Sequence, residues 1–137
     1  MDFSIPAPTA ELLGRVRAFM AAKVHPIEAE LLALGFPAAE PRLQALRAEV
    51  RAAGLWLPQM AKELGGLGLS LQAHGLVSEQ LGQCPFGHYL FNCQAPDAGN
   101  MEILHKFGSP AQQQRFLEPL LRGEIRSCFS MTEPDNA

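Results

Sequence analysis

Five stretches of this chain place apolar residues at three- and four-residue steps, and glycine or proline punctuates the gaps between them. That spacing commits the chain to helices with one apolar face, because a half-buried strand would alternate at every second residue. In the first stretch Leu12, Leu13, Val16, Phe19, Met20 and Val24 make the stripe, with Thr9 as the expected N-cap. Pro26 is expected to kink or break that helix. A further helical piece through Ile27, Leu31 and Leu32 is expected to end at Gly35-Phe36-Pro37. A second helix is expected over 41–53, with Pro41 in its first position, Leu43, Leu46 and Val50 turned inward, and Gly54 just past its end.

The run from Leu55 to Leu69 is apolar but too rich in glycine for a regular element, and reads as a well-packed loop. A third helix is expected to start after Ser70 and run to about Gln80 or Leu81 through Leu71, Val77 and Leu81. The stretch 82–95 is irregular or a short helix, its Phe86, Tyr89 and Phe91 plugging the core or lining a pocket. Pro96-Asp97 opens a fourth helix with Met101, Leu104 and Phe107 on the buried side. Ser109-Pro110-Ala111-Gln112 is the clearest start signal, combining a serine N-cap, proline at the first helical position and glutamine at the third. The fifth helix carries Phe116, Leu117, Leu120 and Leu121, is disturbed at Pro119, and stops at Gly123. Helices joined by short connections, each with one apolar stripe, pack as an antiparallel bundle, so the fold class expected is all-α.

After Gly123 the period changes. Ile125, Ser127, Phe129 and Met131 alternate with Arg126, Cys128 and Ser130, a strand pattern that runs into the turn chemistry of Thr132-Glu133-Pro134-Asp135-Asn136. A lone strand cannot satisfy its own backbone groups. It either docks on another element or belongs to a molecule longer than this one, and the second is the expectation. Residues 1–124 are then a helical domain, and 125–137 the opening strand and turn of a β-domain.

Composition excludes several function classes. A formal charge of −3 without a basic block argues against nucleic acid as a main partner. No apolar run reaches the roughly 20 residues that a membrane span needs. The N-terminal residues lack the features of a signal or transit peptide, so a cytoplasmic protein is expected. Three cysteines form no C-x-x-C pair and no disulfide framework. The loose spacing of Cys84, His88 and Cys93 leaves a metal site conceivable, and buried or half-buried thiols near a loop are the better reading. No catalytic triad order, zinc-protease motif or phosphate loop is present; Gly65-Gly66-Leu67-Gly68 neither follows a strand nor precedes Lys-Ser/Thr.

Several short motifs, weak singly, occur in one order. Arg126-Ser-Cys-Phe-Ser-Met-Thr-Glu-Pro-Asp135 resembles the flavin-side signature of acyl-CoA dehydrogenases, a short strand ending in Thr-Glu-Pro. Gly54-Leu55 with Pro58 and Gly65-Gly66-Leu67-Gly68 is similar to that family's glycine loop between its second and third helices. Glu79-Gln80-Leu81-Gly82, Gly108-Ser109-Pro110-Ala111-Gln112 and Pro119-Leu120-Leu121-Arg122-Gly123-Glu124 resemble a helix end, a helix start and the run before the strand. Phe91-Asn92-Cys93, Ala95-Pro96-Asp97, Gly99-Asn100-Met101 and Ser127-Cys128-Phe129 look closest to a long-chain branch, typified in animals by members ten and eleven. Asp135-Asn136-Ala137 departs from the commoner form, which has glycine after the proline.

The resemblance implies an FAD-dependent enzyme that oxidises an acyl-CoA thioester at its α,β bond. It implies electron-transfer flavoprotein as the electron acceptor and a homodimer or homotetramer as the intact form. Carried over position by position, Phe129, Ser130, Met131, Thr132 and Glu133 are the expected flavin contacts, and Phe91, Cys93, Ala95 and Met101 the expected wall of the acyl-chain pocket. The catalytic base is expected elsewhere than in these residues; Glu133 belongs to the Thr-Glu-Pro turn and is not that base. No metal is expected. The reading of a different class is a free-standing helical module that docks on a partner chain, its strand pairing at an edge, and performs no catalysis.

Overall fold

The computed structural model describes residues 4–135, and helices dominate it. α1 spans Ala7–Phe19, one turn earlier than Thr9 predicts, with Pro8 in its first turn where a missing N–H costs nothing. It runs without a break into a wide π segment, Met20–Val24, and a 3₁₀ turn, His25–Ile27, before α2 at Glu28–Leu34. Pro26 therefore changes the helical register but does not sever the rod. A proline ring collides with the carbonyl four residues back, and the wider i to i+5 register just before it relieves that collision. The same device recurs at Pro119, where the π segment Gln113–Leu117 lies between α7 (Pro110–Gln112) and α8 (Glu118–Leu121).

α3 covers Phe36–Ala52 and corrects the expected start at Pro41. Gly35, at φ 72°, makes the tight reversal out of α2, and Pro37 takes the first-turn position that the sequence offered to Pro41. Pro41 sits inside the helix, leaving only the Pro37 carbonyl without its helical donor. α4 spans Leu71–Leu81, and the Ser70 hydroxyl accepts from Ala73 N at 3.2 Å. The short α5 is Gly87–Leu90 and α6 is Asp97–Phe107. The capping box forms as expected: Ser109 Oγ accepts from Gln112 N, and the Gln112 side chain returns to Ser109 N at 2.8 Å.

α1 packs on α4, α2 on α3, α3 on α5, and α6 on the last helix through its π segment and α8. The interior is continuous from Leu13, Val16, Met20 and Val24 through Leu43, Leu46 and Val50 to Phe91, Met101, Leu117 and Leu120. Phe19 meets Phe91 edge-on at 5.9 Å, and Phe36 meets Tyr89 at 5.2 Å. The glycine-rich loop is packed as expected, burying Leu55, Trp56, Leu57 and Met60. Gly66 is fixed there by space: a Cβ would lie 2.2 Å from the Met60 carbonyl oxygen.

Three expectations are corrected. Leu71 and Phe107 lie on helical stripes yet are 88% and 81% exposed, Leu71 as the first residue of α4 and Phe107 as the last of α6. No β-strand forms among the described residues. The segment 126–132 is extended without a ladder, with an isolated bridge at Glu133 and a turn at 134–135, since the described helices offer no edge to pair with. Positions 136 and 137 of the expected turn lie outside the described residues.

Candidate functional site

Two buried polar clusters control how the chain leaves the bundle. The first begins at Arg47 on α3, a guanidinium only 3% exposed. Its Nη1 donates to the Tyr89 carbonyl and its Nη2 to Asn92 Oδ1 at 3.0 Å. The guanidinium carbon lies 4.8 Å from the Trp56 ring centroid and 4.3 Å from that of Tyr89, so two aromatic faces take the place of water. Burial lowers its proton affinity, opposed chiefly by Tyr89. Asn92, held at φ 57°, passes the constraint on. Its Nδ2 donates to the carbonyls of Leu120 at 3.0 Å and Leu121 at 3.4 Å, and Trp56 Nε1 donates to Leu121 O at 2.9 Å. The end of α8 is thereby fixed, and Gly123 at φ 67° turns the chain against Arg47 and Trp56.

The second cluster is Asp97 and Asn100, one turn apart at the start of α6. Asp97 is 1% exposed. Its Oδ1 accepts from Ser127 N at 2.7 Å and from Ser127 Oγ at 2.6 Å. Its Oδ2 accepts from Gln94 and lies 3.9 Å from Arg126 Nε. Asn100 Nδ2 donates to Ser127 Oγ at 2.8 Å and to the Cys128 carbonyl at 3.4 Å. Arg126 covers Tyr89 and Phe36, at 5.2 and 5.4 Å. Beside this anchor lies an open cleft of about 320 Å³ between α6 and the last helix, lined by Ile103, Leu104, Phe116, Leu120 and Ile125.

From Phe129 to Thr132 the segment is bare of hydrogen bonds to the described residues. Phe129, Ser130, Met131, Thr132 and Glu133 are all exposed, Phe129 at 61% and Met131 at 74%. The backbone donors of 129–132 make no hydrogen bond to the described residues. The expected acyl-chain residues divide. Phe91 and Met101 are fully buried in the core, Cys93 is buried, and Ala95 is exposed at a cis bond to Pro96. The described clefts do not reach Phe91, Cys93 or Met101. Burial pushes the Cys93 thiol up to about 12, so it stays protonated. Cys84, His88 and Cys93 do not gather: among the described residues no group of three metal-ligating side chains forms. His88 instead shares a 2.7 Å hydrogen bond with Ser78 Oγ, tying α5 to α4.

The residues that hold the segment were quoted above as parts of motifs and not as site residues. An asparagine between aromatic and cysteine, and an aspartate opening a helix, carry no local sign of a partner about thirty residues away.

The class that this fold defines is an all-α domain whose last segment is anchored at Ser127 and Cys128 and exposed just beyond. The family model for the acyl-CoA dehydrogenase N-terminal domain matches residues 8–124, and the chain belongs to the acyl-CoA dehydrogenase family. It is 44% identical over 136 residues to acyl-CoA dehydrogenase family member 11 of Rattus norvegicus, covering 91% of this chain and 17% of that protein. It is 38% identical to FadE2 of Mycobacterium tuberculosis, described as an acyl-CoA dehydrogenase, over 98% of this chain and 34% of that one. A solved structure from Mycobacterium abscessus, described likewise, superposes with a TM-score of 0.88 at 48% identity, over 98% of this chain and 36% of the other. The chain thus spans about a sixth to a third of the length of these relatives. Among the described residues no helix is long and apolar enough to cross a membrane.

Proposed function

We propose that this chain is the helical platform of an FAD-dependent acyl-CoA dehydrogenase, presenting one wall of the flavin site and backing the acyl-chain pocket. The observation that carries the reading is the bare stretch Phe129–Thr132, anchored just upstream at Ser127 and Cys128. The backbone donors of 129–132, which bond to no described residue, and the Thr132 hydroxyl match the polar edge of an isoalloxazine, and the apolar Phe129 and Met131 side chains match its face. That donor set fits the group. FAD, when bound, supplies the acceptor for the hydride that leaves the β-carbon of the thioester.

The chain's own work is orientation. Phe129, Ser130, Met131, Thr132 and Glu133 bind and align the ring; Phe91, Cys93 and Met101 form the rigid backing of the acyl-chain wall, with Ala95 at its surface. The base that removes the α-proton is supplied from outside these residues, and the extended segment at 126–132 is offered for pairing to a β-domain contributed by further polypeptide. The same reading includes a cytoplasmic homodimer or homotetramer that passes electrons to electron-transfer flavoprotein.

The test is to express the complete open reading frame containing residues 1–137 and measure bound flavin and turnover of a long-chain acyl-CoA with an artificial electron acceptor. Bound FAD and turnover are expected there, with none from the 137-residue chain alone. Turnover by the isolated chain, or a flavin-free full-length protein, refutes the reading.

A further inference from the structure

The hydrogen bonds that join Ile125–Thr132 to the rest of the described residues all run to two side chains, Asp97 and Asn100. Both project from the first turn of α6, and both meet the chain at Ser127 and Cys128, immediately before Phe129. Asp97 is the more telling of the two. A carboxylate only 1% exposed is costly to keep in an apolar bundle unless every lone pair is used. Here one oxygen takes both donors of a single residue, Ser127, and the other takes Gln94 with Arg126 nearby. An aspartate placed only to open α6 would face solvent and need none of this. Two donors from one residue on one oxygen fix both the position and the rotation of that residue, which a single bond would not.

From this geometry we infer that Asp97 is a positioning residue for the flavin segment, with Asn100 as its second arm. The inference rests on the flavin reading above. Asp97 touches neither ring nor substrate; it sets where the strip 129–133 begins and which way its backbone donors point. Asn100 fixes the next carbonyl, so the orientation carries through to Phe129. Arg126, lying over Phe36 and Tyr89, closes the outer side of the carboxylate and keeps water from competing for it.

The test uses the flavin-bound protein from the complete open reading frame, with the variants Asp97→Ala, Asp97→Asn, Ser127→Ala and, as a control in the strip itself, Thr132→Ala. FAD affinity, the visible flavin spectrum and the flavin reduction potential are measured on protein whose helicity matches wild type. Asp97→Ala and Ser127→Ala are expected to weaken FAD roughly tenfold each and to move spectrum and potential alike, with the double variant no worse than either single one. Asp97→Asn is expected to restore most of the affinity, since an amide oxygen still accepts both Ser127 donors. Should Asp97→Ala fail to fold, Ser127→Ala carries the same test from a half-exposed position. Wild-type affinity, spectrum and potential in Ser127→Ala and Asp97→Ala, beside a weakened Thr132→Ala, overturn the positioning role and leave the flavin reading standing. A wild-type protein that binds no FAD overturns both.

Discussion

Replacing Gly123 by alanine tests whether the buried cluster around Arg47 is as rigid as its geometry implies. At φ 67° a side chain is strained whatever the space, by about 1–2 kcal/mol. The added Cβ would also lie 2.4 Å from Arg47 Nη2 and 2.9 Å from Trp56 Cζ2. A flexible arginine end would ordinarily swing aside. This one is held by Asn92 at 3.0 Å and clasped between two rings at 4.8 and 4.3 Å, so the clash adds an overpacking cost of about 1–3 kcal/mol. Stiffening of the unfolded chain returns roughly 0.4–1 kcal/mol. The net loss expected is about 3 kcal/mol. Trp56 is the single tryptophan and donates to Leu121 beside the substituted turn, so its fluorescence follows urea unfolding of the site itself. With a slope of roughly 1.5 kcal/mol per molar urea, the midpoint falls by about 2 M at unchanged slope. Gly99→Ala is the matched control: it lies within α6 with nothing within 4 Å of the added carbon, and gains about 0.5–1 kcal/mol. A Gly123→Ala midpoint equal to wild type, or a Gly99→Ala loss of the same size, would refute a rigid cluster.

Asn92→Ala removes the acceptor for Arg47 and the donor to Leu120 and leaves a buried guanidinium short of a partner; a loss of about 2–4 kcal/mol is expected in the same urea assay. Burial, and secondarily His74, holds the His88 imidazole below its ordinary value of 6.5. The unfolded chain therefore takes up that proton first, and the contribution of the neutral imidazole is complete above pH 6.5 and is lost as pH falls below it. His88→Gln should flatten that part of the stability profile, and an equally steep profile in the variant argues against the assignment. Of the three thiols only Cys128 is exposed, whereas Cys84 and Cys93 are buried with raised proton affinity. An aromatic disulfide reagent is expected to label one thiol quickly in the native protein, and Cys128→Ser to abolish that phase.

Most helices were legible because their signals are local. Ser70 and the Ser109–Gln112 box cap the helices they announce, and Leu43, Leu46 and Val50 face inward as their spacing predicts. What escaped depends on distance. Leu71 and Phe107 fit the stripes of their helices, yet whether a stripe is covered at its end depends on what packs there, and the first residue of α4 and the last of α6 are left exposed. Pro41 and Pro37 are both sound first-turn prolines, and Gly35 decided between them by making the reversal earlier. The π segments before Pro26 and Pro119 are backbone solutions to a strain that residue identity marks only as a break. In the site, the exposed strip 129–133 was visible as a motif, whereas its anchors were not. Arg47 has the appearance of a surface charge on α3, and its burial arises from Trp56, Tyr89 and Asn92, contributed by two other regions of the chain.

The placement of buried polarity is the strongest physical argument that this bundle exists to present its last segment. Among the described residues four polar or charged side chains are buried, Arg47, Gln80, Asn92 and Asp97, and three of them lie on one path. Arg47 holds Asn92, Asn92 holds the carbonyls that end α8, Gly123 turns the chain against Arg47 and Trp56, and Asp97 receives it at Ser127. A bundle needing only stability would do as well with apolar residues at those positions, since replacing a buried charge network by well-packed hydrocarbon is often neutral or favourable. Hydrocarbon fills space but does not orient a backbone. Directional bonds to main-chain carbonyls and amides do, and they are concentrated where the chain passes from α8 to the strip that faces the proposed flavin. If stability alone were their purpose, they would be spread evenly through the bundle; away from this path the one buried polar side chain among the described residues is Gln80 on α4, which accepts from Arg17 on α1 at 2.8 Å.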